Sequence, residues 1–217
     1  MVDDSLMSKR LVLKTSKIIY ASEILDFYTQ NQEFLRKWET VRGQEFYTLA
    51  YQEQQLHDEL ETIKVGRLYK VWIFKRADKA LGDVVGSIAL NNIVRGSFQS
   101  CHLGYKMDQN NINKDYMTEA LEKVIDYAFN VLKLHRIEAN IMPHNLASLR
   151  VVEKLGFYHE GLAKKYLKIN DRWEDHIHMV LLNQSVNGYL ICQASEERIY
   201  DFNVITAIFI PLSQQRA

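Results

Sequence analysis

The chain has 217 residues, of which 47% are hydrophobic and 25% are charged, so it can bury a sizeable core. Its 9 glycines and 2 prolines are too few for collagen-like repeats, proline-rich linkers or glycine/serine-rich low complexity. Lysine plus arginine and aspartate plus glutamate both total 27, so the net charge is zero and no global basic field exists to hold nucleic acid.

In the first half of the chain, short stretches of alternating polarity predict strands, and two longer stretches predict helices. The predicted strands lie at 10–14, 68–76, 84–92 and 100–107. The predicted helices lie at 21–37 and 46–63, where apolar residues recur with helical spacing. A turn is predicted over 77–83, between two of the strands.

The second half of the chain has the clearest periodicity. It predicts helices at 116–132 and 146–155 and strands at 136–142, near 163–169 and near 173–182. Asn145 is a suitable N-cap for the second helix, and Gly156 is a suitable residue just after its end. Asn170-Asp171 is typical of a hairpin turn. The order of elements predicts an α/β fold of the α+β type with a mixed sheet.

Cysteine usage and hydropathy predict a cytoplasmic protein without a membrane partner. Cys101 and Cys192 lie far apart, which gives neither a metal-ligand spacing nor a disulfide framework. The first ten residues lack the apolar core of a secretory signal. The longest apolar stretch, 204–212, is shorter than the roughly 20 residues that a membrane-spanning helix needs.

Several separate segments, in the right order, match one protein family. They are FLRKWETVR at 34–42, IVRGSFQSCHLGYKM at 93–107, HRIEANIMPHN at 135–145, LGF at 155–157 and KYLKINDRWEDH at 165–176. With them the chain resembles the GNAT N-acetyltransferases, and within these the RimJ/RimL branch, which acetylates the N-termini of ribosomal proteins. The likeness covers roughly residues 10–184. We therefore expect a GNAT domain over 1–184 and a C-terminal extension of unknown role over 185–217.

The resemblance implies a fold and a chemistry. The fold is a mixed, mostly antiparallel sheet of about seven strands, splayed open between the fourth and fifth strands and flanked by helices. The donor is acetyl-CoA, the acceptor is an amine, and no metal takes part. By resemblance, the cofactor contacts are Met107, Asn113, Lys114, Asp115, Tyr116, Met117 and Asn145. A backbone N–H near Met107 would polarise the thioester carbonyl.

The loop that should hold the pyrophosphate departs from the family pattern. Where the family has a glycine-rich turn, this chain has Asn110, Asn113 and Asp115. Asn113 can adopt a left-handed backbone. Asp115 suits a helix N-cap but places a negative charge beside a pyrophosphate, which Lys114 offsets in part. The expected consequence is weaker binding of coenzyme A.

Asn145 and Ser148 form an Asn-x-x-Ser motif with two interpretations. From the residues alone, they are an N-cap and a serine in the first turn of a helix. By resemblance, Asn145 bonds the pantetheine arm and Ser148 donates a proton or a hydrogen bond to the leaving thiolate. The slot in which many GNAT enzymes have a tyrosine acid holds Val152 here.

A base or a water relay must deprotonate the acceptor amine. The glutamate that other GNAT N-terminal acetyltransferases use on the fifth strand is replaced by Asn140. Glu138 lies on the same strand face, two residues earlier, and is a candidate base acting through water. The alternative is that Glu138 forms an ion pair with Arg136.

Other candidate residues belong to the acceptor side. Trp38 lines the acceptor groove by family analogy, and Gly104-Tyr105 resembles the β-bulge of the family, which makes Tyr105 a candidate substrate contact. His176 and His178 share a strand face, but no third ligand accompanies them, which favours packing or surface roles over a metal site.

The leading hypothesis is transfer of acetyl from acetyl-CoA to the N-terminal α-amine of a protein, by resemblance a ribosomal protein. One alternative is the same chemistry on a small amine such as an antibiotic or a polyamine. The other is a catalytically degenerate GNAT-fold binding protein, suggested by Asn113 and Asp115. The expected partners are acetyl-CoA and a protein N-terminus or small amine, without direct contact to nucleic acid or membrane, in a monomer or a homodimer.

Overall fold

Eight strands of the described chain form one sheet. The computed structural model describes residues 5–76 and 82–184. The strands are β1 (Ser5–Met7), β2 (Leu11–Thr15), β3 (Tyr69–Lys75), β4 (Gly86–Val94), β5 (Ser100–Met107), β6 (Arg136–Ile141), β7 (Tyr158–Ile169) and β8 (Arg172–Leu182). They lie in the order β1-β2-β3-β4-β5-β6-β8-β7, and all neighbours are antiparallel except β5 and β6. The predicted mixed, mostly antiparallel sheet is confirmed, with β1 as a strand that the sequence did not predict.

Five α-helices of the described residues flank this sheet. They are α1 (Ala21–Gln30), α2 (Gln32–Arg36), α3 (Leu49–Lys64), α4 (Tyr116–Asn130) and α5 (Leu146–Lys154), with short 3₁₀ turns at Ile18–Tyr20, Gln44–Tyr47 and Gln109–Asn111. The predicted single helix at 21–37 is wrong, because it breaks at Asn31. The Asn31 side chain is fully buried, and its Nδ2 donates a hydrogen bond to the Phe27 carbonyl at 2.8 Å.

The two faces of the sheet pack against different helices. One core contains Val71 and Ile88 of the sheet with Leu121 of α4. The other contains Trp72 of β3 with Ile24 of α1, Leu56 of α3 and their neighbours. Since successive side chains of a strand point to opposite faces, Val71 and Trp72 belong to different cores, as the alternation of β3 predicts.

The sheet opens at its single parallel pair within the described residues. Strands β5 and β6 are joined only at Ser100↔Arg136, Cys101↔Ile137 and His102↔Glu138. Both strands continue past these pairs, to Met107 and Ile141, without pairing to each other. The predicted splay between the fourth and fifth strands is therefore confirmed, and these strands are β5 and β6 here.

The hairpin at the far edge of the sheet is also as predicted. Ile169 pairs with Arg172, so Asn170 and Asp171 form a two-residue turn, with φ values of 45° and 62°. Positive φ at both positions is the backbone of a type I′ turn, which asparagine and aspartate tolerate. The predicted extension at 185–217 and residues 77–81 of the predicted turn lie outside the described residues. No helix in the described part is long and apolar enough to cross a membrane.

Candidate active site

A cleft of about 1050 Å³ lies where β5 and β6 part. Leu103 to Met107 of β5 form one wall, and Ala139 to Ile141 of β6 form the other together with Met142, which follows the strand. The first residues of α4 and α5 line one side, and residues from α1 to α3 line the opposite side. Its volume lies just above that of most small-molecule sites, which measure roughly 300–1,000 Å³.

Ten of the eleven predicted site residues line this cleft. They are Trp38, Tyr105, Met107, Asn113, Lys114, Asp115, Tyr116, Met117, Asn145 and Ser148. Glu138 does not line it. The splayed strands therefore bring together residues that lie more than a hundred positions apart in the sequence.

The loop before α4 has a left-handed backbone at the two positions where glycine was expected. The φ angle is 58° at Asn113 and 56° at Asp115. Lys114 Nζ donates hydrogen bonds to the Asn110 carbonyl at 2.7 Å and to Asn111 Oδ1 at 3.2 Å. Both positions thus have the backbone conformation that glycine adopts most readily, and asparagine and aspartate tolerate this conformation better than other residues.

Asp115 occupies the N-cap position of α4, but its side chain does not cap the helix. Its Oδ1 instead accepts a hydrogen bond from Lys154 Nζ, at the end of α5, at 2.8 Å. This hydrogen bond and the lysine charge lower the pKa of Asp115 below its ordinary value. The negative charge that the sequence places beside a pyrophosphate is therefore accompanied by a lysine that the sequence analysis missed.

The first turn of α5 carries the Asn-x-x-Ser motif. Asn145 Oδ1 accepts a hydrogen bond from the Ser148 backbone N–H at 3.2 Å, so the N-cap interpretation is confirmed. Tyr105 Oη donates to the Ser148 carbonyl at 3.0 Å and thus ties β5 to α5. Burial raises the pKa of Tyr105 to about 12, so the phenol stays protonated and remains a donor at neutral pH.

Glu138 belongs to an ion cluster beside the cleft. Its Oε1 accepts a hydrogen bond from Arg136 Nε at 2.8 Å, and its Oε2 lies 3.9 Å from His102 Nε2 and 3.8 Å from His178 Nδ1. Arg136 also pairs with Glu160 of β7. The structure therefore favours the ion-pair interpretation of Glu138 over its action as a base.

The opposite side of the cleft is aromatic and contains paired charges. Trp38 stacks on His144 with ring centroids 5.6 Å apart. Glu39 accepts a hydrogen bond from Arg42 at 2.8 Å and another from Lys106 of β5. Burial acts to raise the pKa of Glu39, but the two cations outweigh it and hold the pKa below its ordinary value.

The cluster of Glu39, Arg42 and Lys106 was not predicted from the sequence. The only local signal is the i,i+3 spacing of Glu39 and Arg42, whereas Lys106 joins them from β5. Among the described residues, no group of three or more histidine, cysteine, aspartate or glutamate side chains could hold a metal ion.

Comparison with known proteins gives a consistent result. Residues 10–158 match the model of the family described as "Acetyltransferase (GNAT) domain". The chain is 38% identical over 178 residues to the probable N-acetyltransferase YjcK of Bacillus subtilis, covering 82% of this chain and 97% of that protein. It is 36% identical over 172 residues to the [ribosomal protein uS5]-alanine N-acetyltransferase of Escherichia coli, covering 79% and 87% of the two chains.

Solved structures have the same fold. The ribosomal-protein-S5-alanine acetyltransferase of Vibrio fischeri superimposes with a TM-score of 0.78 at 33% identity, covering 84% of this chain and 98% of that one. RimJ of Mycobacterium smegmatis, solved in complex with CoA-disulfide, gives a TM-score of 0.78 at 23% identity, covering 85% and 90%. At that lower identity the second likeness is one of fold.

Proposed function

Since the chain belongs to the GNAT family of N-acetyltransferases, we propose that it transfers acetyl from acetyl-CoA to the N-terminal α-amine of a protein. The observation that carries this proposal is the cleft between β5 and β6, which the predicted donor residues and the predicted acceptor residue Trp38 line together. A ribosomal protein is the proposed acceptor, supported by the resemblance to relatives named for uS5 alanine acetylation.

The loop before α4 supports binding of the donor. A helix N-terminus carries unpaired backbone N–H groups and the positive end of the helix dipole, which together attract phosphate. Asn113 and Asp115 have a left-handed backbone at the two positions where the family pattern has glycine. Lys114 and Lys154 also line the cleft at this point and supply positive charge for a pyrophosphate.

The acceptor side supports a single α-amine over a polycation. The three acidic side chains that line it already have partners. Glu39 bonds Arg42 and Lys106, Asp58 accepts from Gln54 at 2.9 Å, and Glu59 accepts from Lys70 at 2.5 Å. The partners of Glu39 and Glu59 are cations, whereas the partner of Asp58 is a neutral amide. A polyamine or an aminoglycoside needs several uncompensated carboxylates, so the two ion-paired glutamates count against the small-amine alternative.

The proposed chemistry is direct attack of the neutral amine on the thioester. A backbone N–H near Met107 polarises the acetyl carbonyl, and Asn145 contacts the pantetheine arm. The leaving thiolate takes a proton from the hydroxyl of Ser148. Tyr105 of β5 holds the first turn of α5 in place, since its phenol donates a hydrogen bond to the Ser148 carbonyl.

The test has two stages. Isothermal titration with acetyl-CoA should show binding, and absence of heat at millimolar ligand would refute the enzyme hypothesis. An array of peptides with free N-termini and, in parallel, a set of polyamines are then incubated with labelled acetyl-CoA, with formylated copies of the same peptides as matched controls. Label on free peptides alone supports the proposal. Label on polyamines alone favours the small-amine alternative, and binding without any turnover favours a degenerate binding protein.

A further inference from the structure

Strand β6 presents an unsatisfied polar atom where the family analogy expects a base. Asn140 lines the cleft, and its Oδ1 is buried without a hydrogen-bond partner in the described structure. Buried carbonyl oxygens are nearly always paired, so an exception calls for an explanation. A ligand amine or water that donates a hydrogen bond to Oδ1 provides one.

Strand β8 places a histidine next to this position. His176 is 3% exposed and lines the same cleft. Its Nδ1 lies 3.0 Å from the Glu174 carbonyl, which can only accept a hydrogen bond, so Nδ1 carries the proton. The neutral ring then has its lone pair on Nε2, the nitrogen that the Glu174 carbonyl does not engage.

Sheet pairing relates the two side chains. Asn140 of β6 lies directly opposite His178 of β8, and His176 lies two residues along on the same face. Such diagonal neighbours are about 7–8 Å apart between Cα atoms, which is close enough for both side chains to act on the same amine or water in the cleft. The sheet face is the one that carries Trp72 and Lys106, on the acceptor side of the cleft.

The surroundings of His176 keep the ring neutral. Its charged and titratable neighbours are Glu174, Asp175 and His178 of β8, and Tyr166 of β7 has its ring centroid 5.8 Å away. Burial lowers the pKa of His176 below its ordinary value of 6.5, against the opposing effect of the Glu174 carbonyl. A neutral imidazole at physiological pH can accept a proton.

We propose that His176 Nε2 accepts the proton of the acceptor ammonium while Asn140 Oδ1 orients the amine. This inference rests on the proposed function. The ammonium gives one proton to Nε2, and the freed lone pair forms the new bond to the acetyl carbon. The carbon–sulfur bond breaks with its electron pair on sulfur. The sulfur takes the hydroxyl proton of Ser148. The attacking nitrogen loses a second proton, which restores the hydroxyl of Ser148. The imidazolium then releases its proton to solvent.

The first test is independent of turnover. Nitrogen-15 NMR of the histidine side chains, with His176 assigned by comparison with His176→Gln, reports the tautomer and the titration of the free protein. We expect a neutral ring protonated on Nδ1, with a midpoint below pH 6.5. An Nε2-protonated ring, or an imidazolium at neutral pH, would overturn the proposal.

The second test is the pH dependence of kcat/KM for a peptide acceptor. His176→Gln should lower kcat/KM at pH 7 by about 100-fold, leave the acetyl-CoA Kd unchanged and recover rate as the pH rises and the free amine becomes abundant. Asn140→Ala should raise the KM for the peptide more than it lowers kcat. His159→Gln, an exposed histidine of β7 that does not line the cleft and is not among the charged neighbours of His176, is the matched control and should retain the wild-type profile.

The outcomes separate the two proposals. If the wild type is active and the His176→Gln variant has the same pH profile, this inference alone is overturned. A wild type that binds acetyl-CoA but acetylates no amine overturns the proposed function and this inference with it. Loss of activity in His176→Gln together with loss of acetyl-CoA binding would indicate a structural role and would also overturn the inference.

Discussion

Asn31→Ala tests whether one buried asparagine fixes both the first helices and the loop before α4. Asn31 stands at the junction of α1 and α2 and has no exposed surface. Its Nδ2 donates to the Phe27 carbonyl at 2.8 Å, and its Oδ1 accepts from the Gln109 backbone N–H at 2.8 Å. Gln109 begins the loop that continues to Asp115. The substitution removes both hydrogen bonds at once.

The expected loss of stability can be worked from these two bonds. Each contributes about 1 kcal/mol net. The Phe27 carbonyl keeps a second partner, because the Asn31 backbone N–H also donates to it, at 3.2 Å, and alanine preserves that bond. The total is therefore roughly 2 kcal/mol, which lowers Tm by roughly 4–8 °C in a domain of this size.

The assay combines thermal unfolding with acetyl-CoA titration. Asn31→Ala should lower Tm as estimated and raise the acetyl-CoA Kd, since the start of the loop loses its anchor. Asn130→Ala is the matched control, because Asn130 also bonds across one helical turn, to Asp126, but is exposed. The control should change stability by less than about 0.5 kcal/mol. A lower Tm with an unchanged Kd would refute the anchoring argument.

Three further predictions concern the cleft. Asp115→Gly should tighten acetyl-CoA binding, because glycine adopts φ 56° without strain and removes a negative charge, and an unchanged Kd by calorimetry would contradict this. Ser148→Ala should lower kcat by about 100-fold and leave the acetyl-CoA Kd unchanged, and a kcat equal to wild type would exclude the proton-donor role. Because the pKa of Glu39 lies below its ordinary value of 4.5, its ionised form stabilises the fold above that pH, and this stabilisation is lost as the pH falls through the folded-state pKa. Glu39→Gln should therefore lower Tm at pH 7, and the difference from wild type should shrink in acid; a constant difference from pH 7 to pH 3 would count against the ion cluster.

Local pattern was sufficient for the elements whose residues interact mainly with near neighbours. The helix α4 and the Asn145 cap of α5 follow from periodicity and capping chemistry. The break at Asn31 did not follow from local pattern, since Ile24 and Leu35 continue one apolar helical stripe across it. The Asn31 side chain accepts a hydrogen bond from the backbone N–H of Gln109, which is distant in sequence. Strand β1 has only three residues, too few for a recognisable alternation.

The parts of the candidate site that could be predicted are those where the resemblance assigned a motif. The ion pairs between residues distant in the sequence were missed. The pairing of Asp115 with Lys154 spans 39 residues, and that of Glu39 with Lys106 spans 67. The sequence placed Glu138 and Asn140 on one face of a strand. It also offered the ion pair of Glu138 with Arg136, which the structure shows. It could not show that His176, from a different strand, lines the cleft with Asn140.

The three-residue joint between β5 and β6 also bears on how the sheet holds together. Strands β2 to β5 and strands β6 to β8 are each joined by longer antiparallel ladders, whereas the two halves share only the pairs from Ser100 to His102. A molecule bound in the cleft touches both halves. It therefore stabilises the association of the two halves, and its binding free energy adds to the free energy needed to separate them.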